Sequence, residues 1–584
     1  MHPSWRELFA MRPPLMSWQD NLRLIAPVYL ALIGFSMAGQ FIHGLIVALG
    51  GYIVLFGGGQ AARLRLKVYL AVSALMLLAV TLGVLSAASF PLTVLTYLAV
   101  ALAAVIVNIL LGLGPPGPYF FVLMVSGGAT LAQGGMRLGT ILLYVALGNA
   151  LAILFAMADV VYDRYRAERR AIAAAADAVQ ALARAVEPAA GAGTKIDAPL
   201  AAAAAAVHRA WSAFMAGAGQ DDNAAARRVE HELHKVQRRY RALYVDIAER
   251  HLLAADGDPY VYQGSSGLGQ TTDAGDGDTR RSAVGEPSLR YRLAAELSWP
   301  SMTWITLMRV GTALVIATGI THWARDQHPF WASLVIALVL SYPGSQTSLT
   351  LRGVQRFLGT SAGIGIFVAL SRLHLNEAAY IVVLCALLWP ISRLTGRNYL
   401  YGSVFITLLA LYMTVPLSPA QAPLALAANR WMDTLIAVLI ALAMIWLIGP
   451  RSAPALAKAS IRRISLASQA VLERILSQQD FTDPDFVEDR RRLEYALLGS
   501  GQALQIAAPS AAGTAAYANL EQVCTRLGYL VLGSSWLPLS KVECQRLRQL
   551  SQYDGAIAAC LDDPAAERCS ELATEIARSF EHDG

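Results

Sequence analysis

Charge and cysteine are what this 584-residue chain has least of. Only 15% of its residues are charged, against about 25% in an ordinary soluble domain. The shortage is concentrated: residues 24–59 and 68–136 contain no Asp, Glu, Lys or Arg at all. Such runs exclude a soluble globular fold. A bilayer core about 30 Å thick takes roughly 20 apolar residues per helix. The 36-residue run would be ~54 Å long as one helix, so it has to fold back as a hairpin. The five cysteines are Cys385, Cys524, Cys544, Cys560 and Cys569, with no CxxC spacing among them. That pattern argues against zinc and redox motifs, and we read the cysteines as reduced, buried thiols. The net charge of +6 is small for this length and fits basic membrane-flanking loops without calling on nucleic acid. Arg6, Arg12 and Arg23 precede the first apolar run, but no small-residue cleavage site follows a short one, so a cleaved signal peptide is not expected.

What the chain does have is length and hydropathy in two blocks. Apolar spans are expected near 24–39, 43–58, 67–86, 91–112, 118–134 and 138–158. A second set falls near 303–321, 330–343, 354–371, 378–392, 399–416 and 430–449. Lys and Arg gather in alternate short loops: Arg63, Arg65 and Lys67, then Arg352 and Arg356, then Arg393 and Arg397. The stretch after the sixth span opens with Arg164, Arg166, Arg169 and Arg170. By the positive-inside rule both termini are cytoplasmic. Arg137, Arg325, Arg372 and Arg430 run against that balance.

Between and after the blocks the composition turns Ala-rich and charged. The expected organisation is a cytoplasmic N-terminal segment (1–20), a first transmembrane half (21–159) and a helical cytoplasmic domain (160–254). A flexible linker rich in Gly, Asp, Ser and Thr (255–288) and a pre-membrane helix (289–302) follow. A second transmembrane half (303–450) and a C-terminal helical domain (451–584) complete the chain. Ala171 to Val186 and Val229 to Leu253 carry helical patterns, and Leu466, Val471, Leu472 and Ile475 are expected to share one helix face.

The two blocks align with each other. Arg23 pairs with Arg309 at an offset of 286, His43 with His328 at 285, Gln60 with Gln346 at 286 and Arg137 with Arg430 at 293. The fold class is therefore an all-α polytopic membrane protein. It is built from two parallel six-helix transmembrane repeats, each followed by a helical cytoplasmic segment, with the relating axis along the membrane normal.

The stretch His328-Pro-Phe-Trp-Ala-Ser-Leu, then Pro343-Gly344, Arg356-Phe-Leu-Gly-Thr360 and Gly363, resembles the fusaric acid resistance family of aromatic acid exporters. Arg430-Trp-Met-Asp433-Thr434 is similar to that family's closing Arg-x-x-Asp-Thr pattern. The first half departs from these motifs, with no counterpart of Arg356-x-x-Gly-Thr near Leu70. The resemblance implies a bacterial inner-membrane efflux subunit that moves aromatic carboxylic acids, works with a periplasmic adaptor protein and assembles as an even-numbered homo-oligomer such as a dimer.

A carboxylate in a membrane needs a cation or a helix N-terminus, and an aromatic ring needs apolar walls. The candidate substrate contacts are Arg309, Tyr342, Gln346, Arg356 and Trp331. Tyr342 and Gln346 belong to a Gly/Pro-interrupted segment, Ser341 to Gln346, that matches Gly57 to Gln60 in the first half. For each there is a structural alternative: a helix stop for the loop, interfacial snorkelling for the arginines and an aromatic belt for Trp323, Phe330 and Trp331. Gly359 and Gly363 beside Arg356 form a small-xxx-small face. Asp433 is the one acid placed clearly inside an apolar span. It lies three residues after Arg430, and is a candidate for proton coupling or for a structural ion pair. His328 is the second proton-coupling candidate.

Two motifs lack the chemistry they suggest. Gly264 to Thr272 imitates a phosphate loop with Gln270 where the lysine should be, and His231-Glu-Leu-His234 has the wrong spacing for a zinc-protease helix. No nucleotide site, metal cluster or nucleophile triad is visible, so neither an enzyme nor a cofactor is expected. The leading function is proton-coupled export of aromatic or other small organic acids. An anion channel, or a regulatory scaffold acting through the cytoplasmic helices, is the alternative.

Overall fold

Placement in the computed structural model is described for residues 5–11, 18–110, 117–186, 197–253, 287–323, 330–342, 344–373, 375–417, 421–477, 483–500, 512–535, 541–562 and 566–581. Among these residues every regular element is a helix. The chain divides into two compact units, Met1–Arg164 with Met302–Arg451, and Tyr165–Ser301 with Ser452–Gly584.

The first unit holds the apolar helices. After α1 (Trp5–Phe9) come α2 (Trp18–Met37), α3 (Phe41–Gly51), α4 (Ala62–Ser86), α5 (Phe90–Leu110), α6 (Tyr119–Gln133), α7 (Leu138–Met157) and the short α8 (Asp159–Tyr162). Past the other unit's α9 (Arg166–Val186), α10 (Asp197–Ala216), α11 (Ala224–Leu253) and α12 (Leu289–Leu297), the first unit resumes. It adds α13 (Met302–Trp323), α14 (Phe330–Leu340), α15 (Gln346–Leu370), α16 (Glu377–Leu394), α17 (Tyr399–Thr414) and the start of α18 (Pro423–Leu476). Among the described residues seven helices are long and apolar enough to cross a bilayer, and five further apolar ones are shorter. A helix is the form such segments must take, because hydrocarbon supplies no partner for a free N–H or C=O.

Helix lengths recur in order along the two apolar stretches. The second helices, α3 and α14, have 11 residues each, and the third, α4 and α15, have 25 each. The fifth, α6 and α17, have 15 and 16. Eleven residues reach ~17 Å, about half of a bilayer core.

Close helix crossings are made by glycine. On α4 and α6, a Cβ added to Gly83 would collide with the Val125 carbonyl, and one on Gly128 would collide with Val80. On α15 and α17, a Cβ on Gly359 would sit 2.6 Å from the Leu400 carbonyl oxygen, and one on Gly363 2.6 Å from that of Val404. The Gly359/Gly363 stripe therefore sets how near α15 lies to α17, and Thr407 Oγ1 donates to Thr360 Oγ1 at 3.2 Å across the same seam. Helix α15 begins at Gln346, eight residues before the expected start at 354, because Ser345 Oγ caps it by accepting from the Ser348 N–H.

The end of α1 docks on this pair. Asn398 Nδ2 donates to the Leu8 and Ala10 carbonyls at 2.8 and 3.0 Å, and Gln355 Nε2 donates to Leu8 O at 3.2 Å. Asn398 Oδ1 meanwhile accepts from the Leu400 N–H and caps α17.

The second unit packs α9 to α12 and the rest of α18 with α19 (Pro484–Gly499), α20 (Ala512–Ser534), α21 (Lys541–Asp562) and α22 (Ala566–Glu581). Leu182, Leu233, Val471, Phe486, Leu547 and Ile557 are in its core. Two expectations need correction here. Leu466 does not share the buried face of Val471, Leu472 and Ile475: it is 61% exposed. Ile461, Ile464 and Ser468 fill that stripe, since five residues from 466 to 471 turn the helix well past its own face. Cys560 and Cys569 are joined as a disulfide, whereas Cys385 is a free thiol. The short connection from α21 to α22 brings two cysteines nine residues apart within 5.6 Å at Cα, a proximity that motif spacing does not report. The linker 255–286 and the Gly264–Thr272 motif lie outside the described residues.

Candidate functional site

Helix α15 brings Arg352 and Arg356 one turn apart, close to its crossing with α17. Arg356 is completely buried, and among the described residues none of its three guanidinium nitrogens has a hydrogen-bond partner. Arg430, on α18, is 2% exposed, with Nε and Nη1 likewise unmet. Its Cζ lies 4.9 Å from the centre of the Trp331 ring. The two guanidiniums act on each other electrostatically, and Tyr119, Tyr399 and Asp433 share their field.

This arrangement costs energy as it stands. Removing a guanidinium from water costs several kcal/mol unless an anion and hydrogen bonds compensate. Trp331 supplies one aromatic face to Arg430, worth ~1–2 kcal/mol when desolvated. Asp433, buried one turn along α18, supplies a carboxylate to the cluster. With both arginines and Asp433 ionised, the formal sum is one positive charge, which one monoanion would neutralise. The Tyr399 hydroxyl, buried and without a hydrogen-bond partner, is a further donor at the same place.

The cations continue to Arg352. Its Cζ stands 4.1 Å from the Tyr342 ring centre and 3.9 Å from that of Tyr399, while Nε donates to the Leu338 carbonyl at 3.3 Å. Arg352 in turn acts on Arg356. Arg352, Arg356 and Arg430 thus form a chain of three interacting cations, with aromatic rings packed against the first and the last.

Of the residues picked from the sequence, Arg356, Trp331 and Asp433 meet in this cluster, and Tyr342 reaches it through Arg352. Trp331 is not a belt residue: it is 3% exposed, beneath Arg430, whereas Trp323 is 87% exposed. Arg309 is buried on α13 with Nε and Nη2 unmet, but no charged group of the cluster acts on it. Gln346, at the first position of α15, is buried with both amide atoms unpartnered. His328, and the side chain of Arg23, lie outside the described residues. His43 packs on Tyr144, with ring centres 4.5 Å apart.

Sequence reasoning did not pick Tyr119, Tyr399 or Arg352 as site residues, and it did not bring Arg430 together with Arg356. A signal for Arg430 existed: it broke the positive-inside balance. A signal for the tyrosines existed too, since each opens the fifth apolar helix of its stretch.

Residues 315–444 match the fusaric acid resistance protein-like family. The fusaric acid resistance-like segment runs from α13 into α18 and contains every member of the cluster except Tyr119, which α6 contributes. Together with seven helices able to cross a bilayer, this match supports a multi-pass membrane protein with a transport role. No curated protein and no solved structure matches the chain.

Proposed function

We propose that this protein exports aromatic and other small organic carboxylates, which bind between Arg356 and Arg430. The observation that carries the reading is the Arg356 guanidinium, fully buried and without a hydrogen bond beside a second buried arginine. A carboxylate accepts bidentate bonds from such a fork, and Trp331, Tyr119 and Tyr399 offer ring surface to its aromatic body. Asp433 is the proposed proton site: its carboxylate competes with the substrate for Arg430, so its protonation and anion binding are coupled. His328 is the second candidate.

The recurrent helix lengths, and the paired positions of Tyr119 and Tyr399, support two parallel six-helix repeats whose halves meet at the site. We place the protein in a bacterial inner membrane with both termini cytoplasmic, acting as a dimer with a periplasmic adaptor. The line of Arg352, Arg356 and Arg430 would equally suit an anion channel.

Everted membrane vesicles supplied with radiolabelled benzoate separate the two. Accumulation above the outside concentration that collapses with the pH gradient supports the exporter. Movement only down the electrochemical gradient supports the channel, and no protein-dependent movement or binding rejects both.

A further inference from the structure

Arg352 is not accounted for by packing alone. Its guanidinium packs against two rings, with Cζ 4.1 Å from the centre of Tyr342 and 3.9 Å from that of Tyr399, and Nε is tied to the Leu338 carbonyl. Three constraints on one flexible side chain hold its plane in a single orientation. The two terminal nitrogens are left over. Among the described residues they carry no hydrogen bond, and they are not among the sealed, unmet atoms that Arg356 and Arg430 contain. Arg352 is half-buried where Arg356 is wholly buried, so its fork is the accessible end of the line of cations. Tyr399 touches both steps: its ring covers Arg352 and its unmet hydroxyl stands in the field of Arg430.

We infer that Arg352, held against the rings of Tyr342 and Tyr399, is the loading station of the transporter. It takes the substrate carboxylate first, on its free Nη edge, and passes it one helical turn along α15 to Arg356. The inference rests on the Arg356–Arg430 reading above. A pre-oriented guanidinium suits this role because little side-chain entropy is lost when a planar carboxylate docks on it. The neighbouring charge on Arg356 then favours onward movement of the anion over retention.

The test is initial-rate uptake of radiolabelled benzoate by everted vesicles, paired with benzoate binding to the purified full-length protein. Arg352→Gln should raise KM roughly tenfold or more, the worth of a charge-assisted hydrogen bond, with the maximal rate near wild type. Tyr342→Ala removes one of the two rings that hold the guanidinium and should raise KM severalfold. Arg352→Lys keeps the charge but loses the fork, and should fall between wild type and Gln. It decides the matter if the Gln variant does not fold. An unchanged KM in the Gln or Lys variant, or a fall in maximal rate alone, overturns the loading role and leaves the Arg356 site standing. A wild-type protein that neither binds nor moves benzoate, or a closely related aromatic carboxylate, removes both readings.

Discussion

Tyr119 and Tyr399 stand 280 residues apart in sequence, yet each is the first residue of the fifth apolar helix of its stretch and the two hydroxyls come within electrostatic range of one another. They converge beside Arg356 and Arg430. The first apolar stretch, which lacks the arginine motif of the second, thus contributes to the same cluster through one phenol. Its function becomes legible only at this meeting point.

Arg356 should be expensive to the resting protein and indispensable to transport. Replacing it by Gln removes a buried, unpaired cation, so Tm is expected to rise by a few degrees, ~1 kcal/mol or more. Benzoate transport should fall by roughly a hundredfold. A thermal-shift series run beside vesicle uptake checks both halves. A large fall in Tm would mean that Arg356 is structural.

The tyrosine hydroxyls should separate binding from folding. Tyr399→Phe deletes a hydroxyl that has no hydrogen bond in the resting protein, so stability should change by less than ~0.5 kcal/mol. Benzoate affinity should drop about threefold to tenfold. A double-mutant cycle with Tyr119→Phe measures whether the two phenols act on one ligand.

Gly359→Ala places a methyl group against Ser403 and the Leu400 carbonyl. Forcing α15 from α17 should cost ~1–3 kcal/mol and reduce transport, because the same crossing positions Arg356 and Tyr399. Gly365, which faces open space on the same helix, is the control: Gly365→Ala should fold and transport as wild type does.

Asp433→Asn leaves the two arginines without their carboxylate. Benzoate should bind the variant more tightly at neutral and alkaline pH, and the dependence of transport on the pH gradient should flatten. Binding isotherms across pH for both proteins decide this, and a variant with weaker binding at every pH would return Asp433 to a structural ion pair.

Asn398→Asp tests the docking of the N-terminal segment. The aspartate keeps an acceptor for the Leu400 N–H but cannot donate to Leu8 and Ala10. Limited proteolysis should release the first residues of the chain severalfold faster, while the helical signal stays unchanged.

Hydropathy by itself determined much of this protein. Long uncharged runs without strand alternation become helices in water-free surroundings, so the order of the apolar helices and the pairing of Gly359 with Gly363 were readable from the residues alone. The charge count placed the basic loops and marked Arg430 as an anomaly. Tertiary structure decided the rest, because burial and neighbours are not local properties. Trp331 could be read as a belt residue until α18 laid Arg430 across it, and Arg309 and Arg356 looked alike until Arg356 alone was set beside another cation. The Cys560–Cys569 bond depends on how α21 turns into α22, and the convergence of Tyr119 with Tyr399 depends on two helices meeting across 280 residues. A period of 3.6 residues tells which side of a helix is apolar. Which other helix that side meets is fixed by packing, and the site was written there.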